Sequence, residues 1–403
     1  MLELGSSLRA CPPAATLARA RRLMPALGIT RVSDITRMDR LGLPVFTSIR
    51  PLGQALCVHA GKGLRAEEAE VGALMEALEF AAAEATRGSW RPRRLAVGDW
   101  LAQLGGGLRL VDFAPLYGRR ITTDQTLTTV DCEALGGTPR TVALPAELVF
   151  VPWAGDPGAE PLFGWSSNGL ASGNTVEEAT VHALFEVMER DALAMNRAAD
   201  NSVAIDPSTL PEPFATLTAH WRALGVELAV RWLPDAFGLP CFAAWLHEAE
   251  SEDVNLAGGS GLHLHPHIAL ARAVCEEAQA RLSLIHGGRD DITAFYAKYR
   301  RQPREQRRDS ERQLLQRLFN RERCIAYADV PAGPAPAASL PALQAQLVAL
   351  LAGRGFTEVF RHRFALELDG LAVVKLVVPR CENTEHGVRR VGPRLLAQAL
   401  AHA

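Results

Sequence analysis

The sequence predicts a mixed α/β fold in which a β-sheet is backed by helices that carry Glu-x-x-Glu pairs. Three observations predict it. Short β-branched runs, among them 29–35, 44–49 and 226–232, alternate with longer helical stretches. Three of those helices follow Gly- and Ser-rich loops, at 61–63, 166–174 and 258–261. Two of these three helices repeat each other at a series of positions, acids included.

Residues 12–27 read as a helix opened by Pro12 and Pro13, since proline suits a first helical turn. Strands follow at 29–35 and 44–49, the second closed by Arg50-Pro51, and at 56–60. That last run ends in Gly61-Lys62-Gly63, and a helix is expected over 66–85. Residues 88–125 carry no clear period. Residues 140–152 alternate like a strand, and a Gly/Pro-rich loop follows at 155–158. Thr175 and Glu178 form a capping box ahead of an apolar-periodic run to about residue 196. Strands at 226–232 and 240–246 precede the Gly258–Gly261 loop and a helix over 266–285. The stretch 300–323 is charged, helical and solvated; 331–341 is a Pro/Ala-rich linker. The end reads as a helix (341–353), strands (356–362, 365–368, 371–378) and a last helix (393–402).

The chain has 403 residues, 48% of them hydrophobic, enough for a sizeable core and for two to three domain-sized units. Its 43 Lys+Arg against 45 Asp+Glu leave a net charge of −2. That balance excludes a nucleic-acid binder working by bulk positive charge, and an acidic disordered chain. Seven scattered cysteines without a C-x-x-C argue against a disulfide framework or zinc ribbon and suit a reducing cytosol. No apolar signal segment is read at the start, and the apolar runs at 347–352 and 371–378 are too short to span a bilayer. The expectation is a cytoplasmic protein with neither membrane nor nucleic acid as partner.

The repeat is the most informative feature. Glu67-Glu68-Ala69-x-Val71-x-Ala73-Leu74-x-Glu76-x-x-Glu79 matches Glu177-Glu178-Ala179-x-Val181-x-Ala183-Leu184-x-Glu186-x-x-Glu189. A third helix keeps Ala269, Ala273, Glu276 and Gln279 in the same frame. Spacing of i, i+3 puts both acids of a pair on one helix face, where they repel unless a cation lies between them. The helical neighbours of Glu76 and Glu79 are small or apolar, off the charged face of Glu67, Glu68 and Glu70. The plainer reading is solvated glutamates, with Arg190 at i+4 as an ordinary partner for Glu186. The sharper one is a set of carboxylates binding Mg²⁺ together with substrate phosphates, which implies a nucleotide. Neither G-x-x-x-x-G-K-[ST] nor G-x-G-x-x-G before a helix is present. Gly61-Lys62-Gly63 reads equally as a simple turn. The 167–174 loop is the better phosphate candidate, because small residues and a helix N-terminus favour an anion; an ordinary capped helix start is its alternative.

Ser167-Asn168-Gly169-Leu170-Ala171-Ser172-Gly173-Asn174-Thr175, followed by Leu184-Phe185-Glu186-Val187-Met188-Glu189-Arg190-Asp191, resembles the signature of the YcaO family. So do Gly28-Ile29-Thr30-Arg31, Gly42-Leu43-Pro44-Val45, Arg50-Pro51, Gly61-Lys62-Gly63 with Glu76-x-x-Glu79, and Arg272-Ala273-x-x-Glu276-x-x-Gln279-x-Arg281. The resemblance runs from about residue 9 to 392. It implies a YcaO-like fold and ATP-dependent chemistry on peptide backbone amides. The ATP site would be unlike a P-loop, with glutamates from several helices holding Mg²⁺ against the phosphates.

By that resemblance Glu76, Glu79, Glu186 and Glu189 are the metal set. Arg190, Arg272 and Glu276 line the phosphates, Asn174 and Glu178 belong to a second nucleotide segment, and Arg9 and Thr16 lie near the nucleoside. Glu76, Glu189, Arg190 and Arg272 are the expected catalytic group. Arg9 stands where a Lys can occur, and Ala171 where some members carry a phosphate-facing Ser. The implied layout is an N-terminal segment (1–56) contributing to the nucleotide site and an ATP/Mg-binding core (57–300). A charged helix and linker (301–340) and a C-terminal α/β segment (341–403) complete it. No protein nucleophile is needed, and Cys57 and Cys275 are expected to be core thiols.

Azoline-forming members often end in a Pro-rich tail, which 396–403 lacks. Leu376-Val377-Val378-Pro379 followed by Val391-Gly392-Pro393-Arg394 resembles members that work beside a TfuA-like partner in thioamide formation. The expectation is thioamide formation on a peptide or protein substrate, with a TfuA-like partner, a sulfide source and a homodimer. An azoline-forming cyclodehydratase and a non-catalytic adaptor are the alternatives.

Overall fold

A computed structural model describes residues 1–87, 90–105, 107–155, 160–248, 257–292, 301, 303–384 and 389–402. The loop expected at 155–158 therefore lies outside the described residues from 156 on, as do residues 300 and 302 of the expected charged helix. The chain opens with a hairpin, β1 (Leu2–Leu4) and β2 (Ser7–Arg9), then α1 (Pro13–Leu27). Next come β3 (Arg31–Asp34), β4 (Val45–Ile49), β5 (Val58–Lys62) and α2 (Ala66–Ala83). A middle block holds β6 (Arg93–Ala96), α3 (Val97–Gln103), β7 (Thr126–Leu135), β8 (Thr141–Pro145), β9 (Leu170–Gly173) and α4 (Val176–Ala198). Then follow β10 (Val203–Ile205), α5 (Phe214–Ala223), β11 (Val226–Trp232), β12 (Cys241–Glu248), β13 (Gly259–Leu262) and α6 (Pro266–His286). The last elements are α7 (Arg304–Leu318), β14 (Cys324–Ile325), α8 (Leu340–Gly353), β15 (Val359–Arg363), β16 (Ala372–Val377) and α9 (Pro393–Ala401).

The α/β class is as expected, and the strands divide among several sheets. Their orders are β3-β4-β5, β6-β7-β15-β16-β9 with β8 on β7, and β13-β12-β11-β10-β14, beside the β1-β2 hairpin. The last of the three is the mixed sheet, since β10 and β14 run parallel while its other pairs are antiparallel. In each of the three sheets one edge strand, β5, β9 or β13, leads directly into a long helix, α2, α4 or α6.

The small-residue stretches expected as loops at 61–63, 172–174 and 258–261 are largely these edge strands. A side chain at Gly61 would put Cβ 2.1 Å from Ala69 O and Ala73 N. At Gly259 it would meet Ala273 O at 2.1 Å, and at Gly261 Ala269 O at 2.1 Å. Each glycine thus lets a helix backbone lie directly on its strand, the close approach for which strands keep glycine. The facing helix positions are correspondingly alanines: Ala69, Ala73, Ala269 and Ala273 are fully buried.

Other expectations shift for local reasons. The 140–152 run stops as a strand at Pro145 and turns into a 3₁₀ turn over Ala146–Leu148. Residues 365–368, expected as a strand, form the connection between β15 and β16. The Thr175 capping box is half made. Thr175 Oγ1 accepts the Glu178 N–H at 3.1 Å, but the Glu178 carboxylate is taken by Arg9, Ala10 and Asn174. Cys275 is buried as expected, whereas Cys57 is half-exposed where a strand begins; all seven cysteines are free thiols. Among the described residues no helix is long and apolar enough to cross a membrane.

Candidate active site

A cleft of about 1290 Å³ runs between the inner faces of α2, α4 and α6 and under the β1-β2 hairpin. All eleven residues expected at the site line it: Arg9, Thr16, Glu76, Glu79, Asn174, Glu178, Glu186, Glu189, Arg190, Arg272 and Glu276. They come from six elements or loops spread over more than 260 positions of chain, so the fold does the gathering.

Each acid is placed by an edge strand. Glu76 accepts the Ala60 N–H of β5 at 2.6 Å, and Glu186 the Gly169 N–H just before β9 at 3.1 Å. Glu79 accepts the N–H and Oγ of Ser172 in β9, at 2.8 and 2.6 Å. Glu189 accepts Ser260 Oγ at 2.6 Å and the Leu262 N–H at 3.2 Å, both in β13. The first acid of each pair therefore serves its own unit and the second serves the next. In the third unit Glu276 pairs with Lys62 Nζ of β5 at 3.3 Å, which returns the pattern to the first strand. Edge strands usually leave such N–H groups to water or to a neighbouring chain; in this cleft they bond carboxylates instead.

The bound carboxylates are costly to ionise. Burial pushes Glu79 up to about 8, and the charges of Glu186 and Glu76 add to the push. Burial raises Glu186 to about 7 and raises Glu76 as well. Burial would raise Glu276 too, but Lys62, Arg190 and Arg272 outweigh it and hold that carboxyl below its ordinary range. Arg190 lies 3.8 Å from Glu189 and 3.6 Å from Glu276, and Arg272 lies 3.8 Å from Glu189. These separations are too long for good hydrogen bonds, so the two arginines face these carboxylates mainly as charges. Arg272 Nε is a buried donor without a hydrogen-bond partner. Arg190 still lowers Glu186, as the i+4 spacing implies, and it also reaches Glu276 on α6.

At the N-terminal end, Arg9 Nη1 donates to Glu178 at 3.2 Å and the Ala10 N–H does so at 2.9 Å. Thr16 Oγ1 donates to Asn174 Oδ1 at 3.0 Å, joining the pair expected near the nucleoside to the second expected nucleotide segment. Glu68, expected on a charged solvated face, is instead buried under the hairpin. It accepts Ser6 Oγ at 3.2 Å and an Arg65 fork at 2.7 and 2.9 Å. It sits in the same repeat position as Glu178, so the hairpin lies across the equivalent acids of α2 and α4.

The sequence reading missed Ser172 and Ser260, the hydroxyl donors to Glu79 and Glu189. A signal existed, since each stands in a Ser-Gly pair, 172–173 and 260–261, ahead of a matched helix. It also passed over His182, which lines the cleft one turn before Glu186. Burial, with Arg272 and Arg9 nearby, pushes His182 well below its ordinary range, so it is neutral.

Among the described residues no three His, Cys, Asp or Glu side chains converge tightly enough to hold an ion alone. The donor set nevertheless fits Mg²⁺ carried with a polyphosphate. That ion takes a few carboxylates and completes its shell with phosphate oxygens and water. Four acids line the cleft beside Arg190 and Arg272, and three of them, Glu76, Glu79 and Glu186, are pushed toward the protonated form that a cation would oppose.

A family model described as YcaO cyclodehydratase, ATP- and Mg²⁺-binding, matches residues 60–382. An uncharacterised protein of Methanothermobacter thermautotrophicus is 34% identical over 288 residues, 70% of this chain and 73% of the relative. A protein in the tfuA 3′ region of Rhizobium leguminosarum bv. trifolii is 33% identical over 304 residues, 71% of this chain and 69% of the relative. The YcaO structure from Methanopyrus kandleri, bound with AMPPCP and Mg²⁺, superposes with a TM-score of 0.73 and 25% identity over 98% of both chains.

Proposed function

The chain belongs to the YcaO family, and from that premise we propose that it uses ATP and Mg²⁺ to activate a peptide backbone amide by O-phosphorylation, for thioamide formation. The observation that carries the reading is the division of the cleft. Glu79, raised by burial with only acids as its charged neighbours, stands in one part, and Arg190 and Arg272 stand by Glu189 in another.

The chemistry asks for that division. A backbone amide is a poor electrophile. Hydrosulfide adds to its carbonyl carbon, and the resulting oxyanion attacks the γ-phosphorus of ATP, expelling ADP. The C–O bond then breaks, phosphate leaves with the oxygen, and C=S forms as the sulfur loses its proton. Mg²⁺, when bound, neutralises phosphate charge and polarises the phosphoryl oxygens under transfer. Glu76, Glu79, Glu186 and Glu189 are the residues that would hold it. Arg190 and Arg272 bind phosphate oxygens and stabilise the charge that develops there. Arg9 and Thr16 hold the nucleoside end, and Asn174 and Glu178 form the second segment that contacts the nucleotide.

The remainder of the cleft leaves room for the peptide. Its wall there is the start of β7, from Gln125 to Thr128, with Trp153 and Trp165. The segment before Trp165 is pinned by Glu147, which accepts the N–H groups of Leu162, Phe163 and Gly164. Lys375 holds the carbonyls of Ser166 and Asn168 just after it.

A relative in a tfuA region supports a TfuA-like partner and, with it, sulfide as nucleophile. We take the working form to be a cytoplasmic homodimer. The family model's description as a cyclodehydratase favours the second reading, azoline formation on Ser, Thr or Cys. Mass spectrometry separates the two. With peptide, ATP, a sulfide source and a TfuA-like partner, thioamide formation adds about 16 Da, by O-to-S exchange after phosphate activation. Azoline formation removes about 18 Da, because the side-chain nucleophile stays attached. No mass change under any combination, with no ATP turnover, would leave only the adaptor.

A further inference from the structure

One arginine of the cleft, Arg289, lies just past the end of the third repeated helix. α6 ends at Gly287, in the left-handed region at φ 67°, and the chain turns back over β5. Asp290 Oδ2 accepts the Cys57 N–H at 3.1 Å, which ties this turn to the segment entering β5. Arg289 and Asp291 on either side of it both line the cleft, on the side of Glu76. Arg289 is held by a fork: Nε to Asp291 Oδ1 at 3.1 Å and Nη2 to Asp291 Oδ2 at 2.8 Å. Beyond Asp291, the carboxylates of Glu76 and Glu276 also favour its charge.

We propose that Arg289 is a further phosphate-binding residue, which Asp291 holds in the nucleotide-free protein and which passes its fork to the nucleotide phosphates when they fill the cleft. The proposal rests on the ATP reading above. A phosphate offers a guanidinium the same two-oxygen acceptor that a carboxylate does, with more charge. The exchange is cheap on the Asp291 side. Its side chain is 49% exposed, so water takes over its oxygens, and an ion pair of that exposure contributes little. The arginine itself is only 18% exposed and faces the cleft, where a buried ligand oxygen would replace a half-solvated one. Charge makes the same point, since four acids on the metal side leave room for a cation beyond Arg190 and Arg272 once a polyphosphate enters.

The test is calorimetric titration of wild type, Arg289→Ala, Arg289→Lys and Asp291→Asn with Mg·ATP and with AMP. Folding is checked by circular dichroism. Arg289→Ala is expected to weaken Mg·ATP by about tenfold or more while leaving AMP unchanged, and Arg289→Lys to recover only part, because a point charge lacks the fork. Asp291→Asn is expected to tighten Mg·ATP, by about two- to fivefold, because the competitor for the fork is weakened. Opposite signs for Arg289→Ala and Asp291→Asn carry the proposal. Equal losses in both would mean a structural pair or a metal-side Asp291, and overturn it, as would wild-type affinity in Arg289→Ala. If Arg289→Ala does not fold, Arg289→Lys and Asp291→Asn decide by the same signs. Absence of Mg·ATP binding by the wild type sinks the ATP reading and this proposal together, whereas normal wild-type binding with no effect of either substitution sinks this proposal alone.

Discussion

Glu79 of α2 and Glu189 of α4 hold equivalent places in the repeat, and each accepts a serine hydroxyl and a backbone N–H from the edge strand of the next unit. Their other neighbours differ. The residue after Glu79 is Phe80, whose ring lies 5.0 Å from His59, and the nearby charges are the acids Glu186 and Glu76. The residue after Glu189 is Arg190, and Arg272 stands on its other side. One helix thus presents an acid in need of a cation, and the other an acid already facing two. A repeated motif can therefore present acids in two opposite charge settings, because the partners that polarise each copy differ.

Removing acids from either helix should have the largest effect. Glu76→Ala and Glu189→Ala are expected to lower ATP turnover by at least about 10²-fold, the usual cost of losing a group that holds transition-state charge. Phosphate-release assays check it, with melting temperature measured alongside. Turnover at wild-type level in either variant would remove the metal assignment, and loss of melting temperature with activity retained would make the acids structural.

Neutral isosteres should split the two helices by sign. At neutral pH the unfolded chain ionises this carboxyl while the native state, which pushes it up to about 8, keeps its proton, and the native state is less stable for it by on the order of 3 kcal/mol. Glu79→Gln removes much of that cost and keeps an acceptor for Ser172, so it should raise the melting temperature while abolishing turnover. Glu189→Gln loses the charge facing Arg190 and Arg272 and should destabilise by about 1–3 kcal/mol. Chemical denaturation of both proteins gives the comparison, and equal signs would break it.

The pH dependence follows from the same groups. Glu79 and Glu186 hold protons in the native state up to about 8 and 7, against an ordinary 4.5 in the unfolded chain. The native state binds more protons across that window, so the metal-free protein should lose stability as pH rises from about 5 to 8. Glu277, buried away from the cleft and raised to about 8, shares this loss. Mg·ATP must displace only the protons of the cleft, so its affinity should increase from pH 6 to 8.5. Titrations in buffers of different ionisation enthalpy would report the released protons; an affinity flat across this range would contradict the arrangement.

The smallest effect belongs to the cap. Thr175→Ala should cost about 1 kcal/mol of stability, since only the bond to the Glu178 N–H is lost. If the start of α4 holds phosphate, ATP affinity should stay within a factor of a few, because the backbone N–H groups remain. A large loss of affinity would give the threonine hydroxyl a ligand contact of its own.

Much of the site was legible before the fold was known, for a local reason. An i, i+3 pair shares a helix face whatever the rest of the chain does, so Glu76 with Glu79 and Glu186 with Glu189 could be grouped from spacing alone. The long helices were legible because their apolar period and caps lie within one stretch of chain. The strands β5, β9 and β13 were partly misread, because Gly and Ser signal turns locally. Their actual reason is a contact with residues further along: Gly61 meets Ala69 and Ala73, and Gly173 meets Ala179.

The sequence alone thus determined the α/β class, the matched helices, the acids they carry and the family resemblance, all of which follow from short-range pattern. Only the tertiary structure decided which strand each acid serves, why Glu68 is buried under a hairpin some 60 positions away, and that Arg190 also reaches Glu276 of α6. It also decided that Glu79 and Glu189, alike in the repeat, differ in charge environment. Hydrogen bonds and charges act over a few ångströms of space with no regard for separation along the chain, and burial, which sets the cost of each charge, is a property of the packed whole.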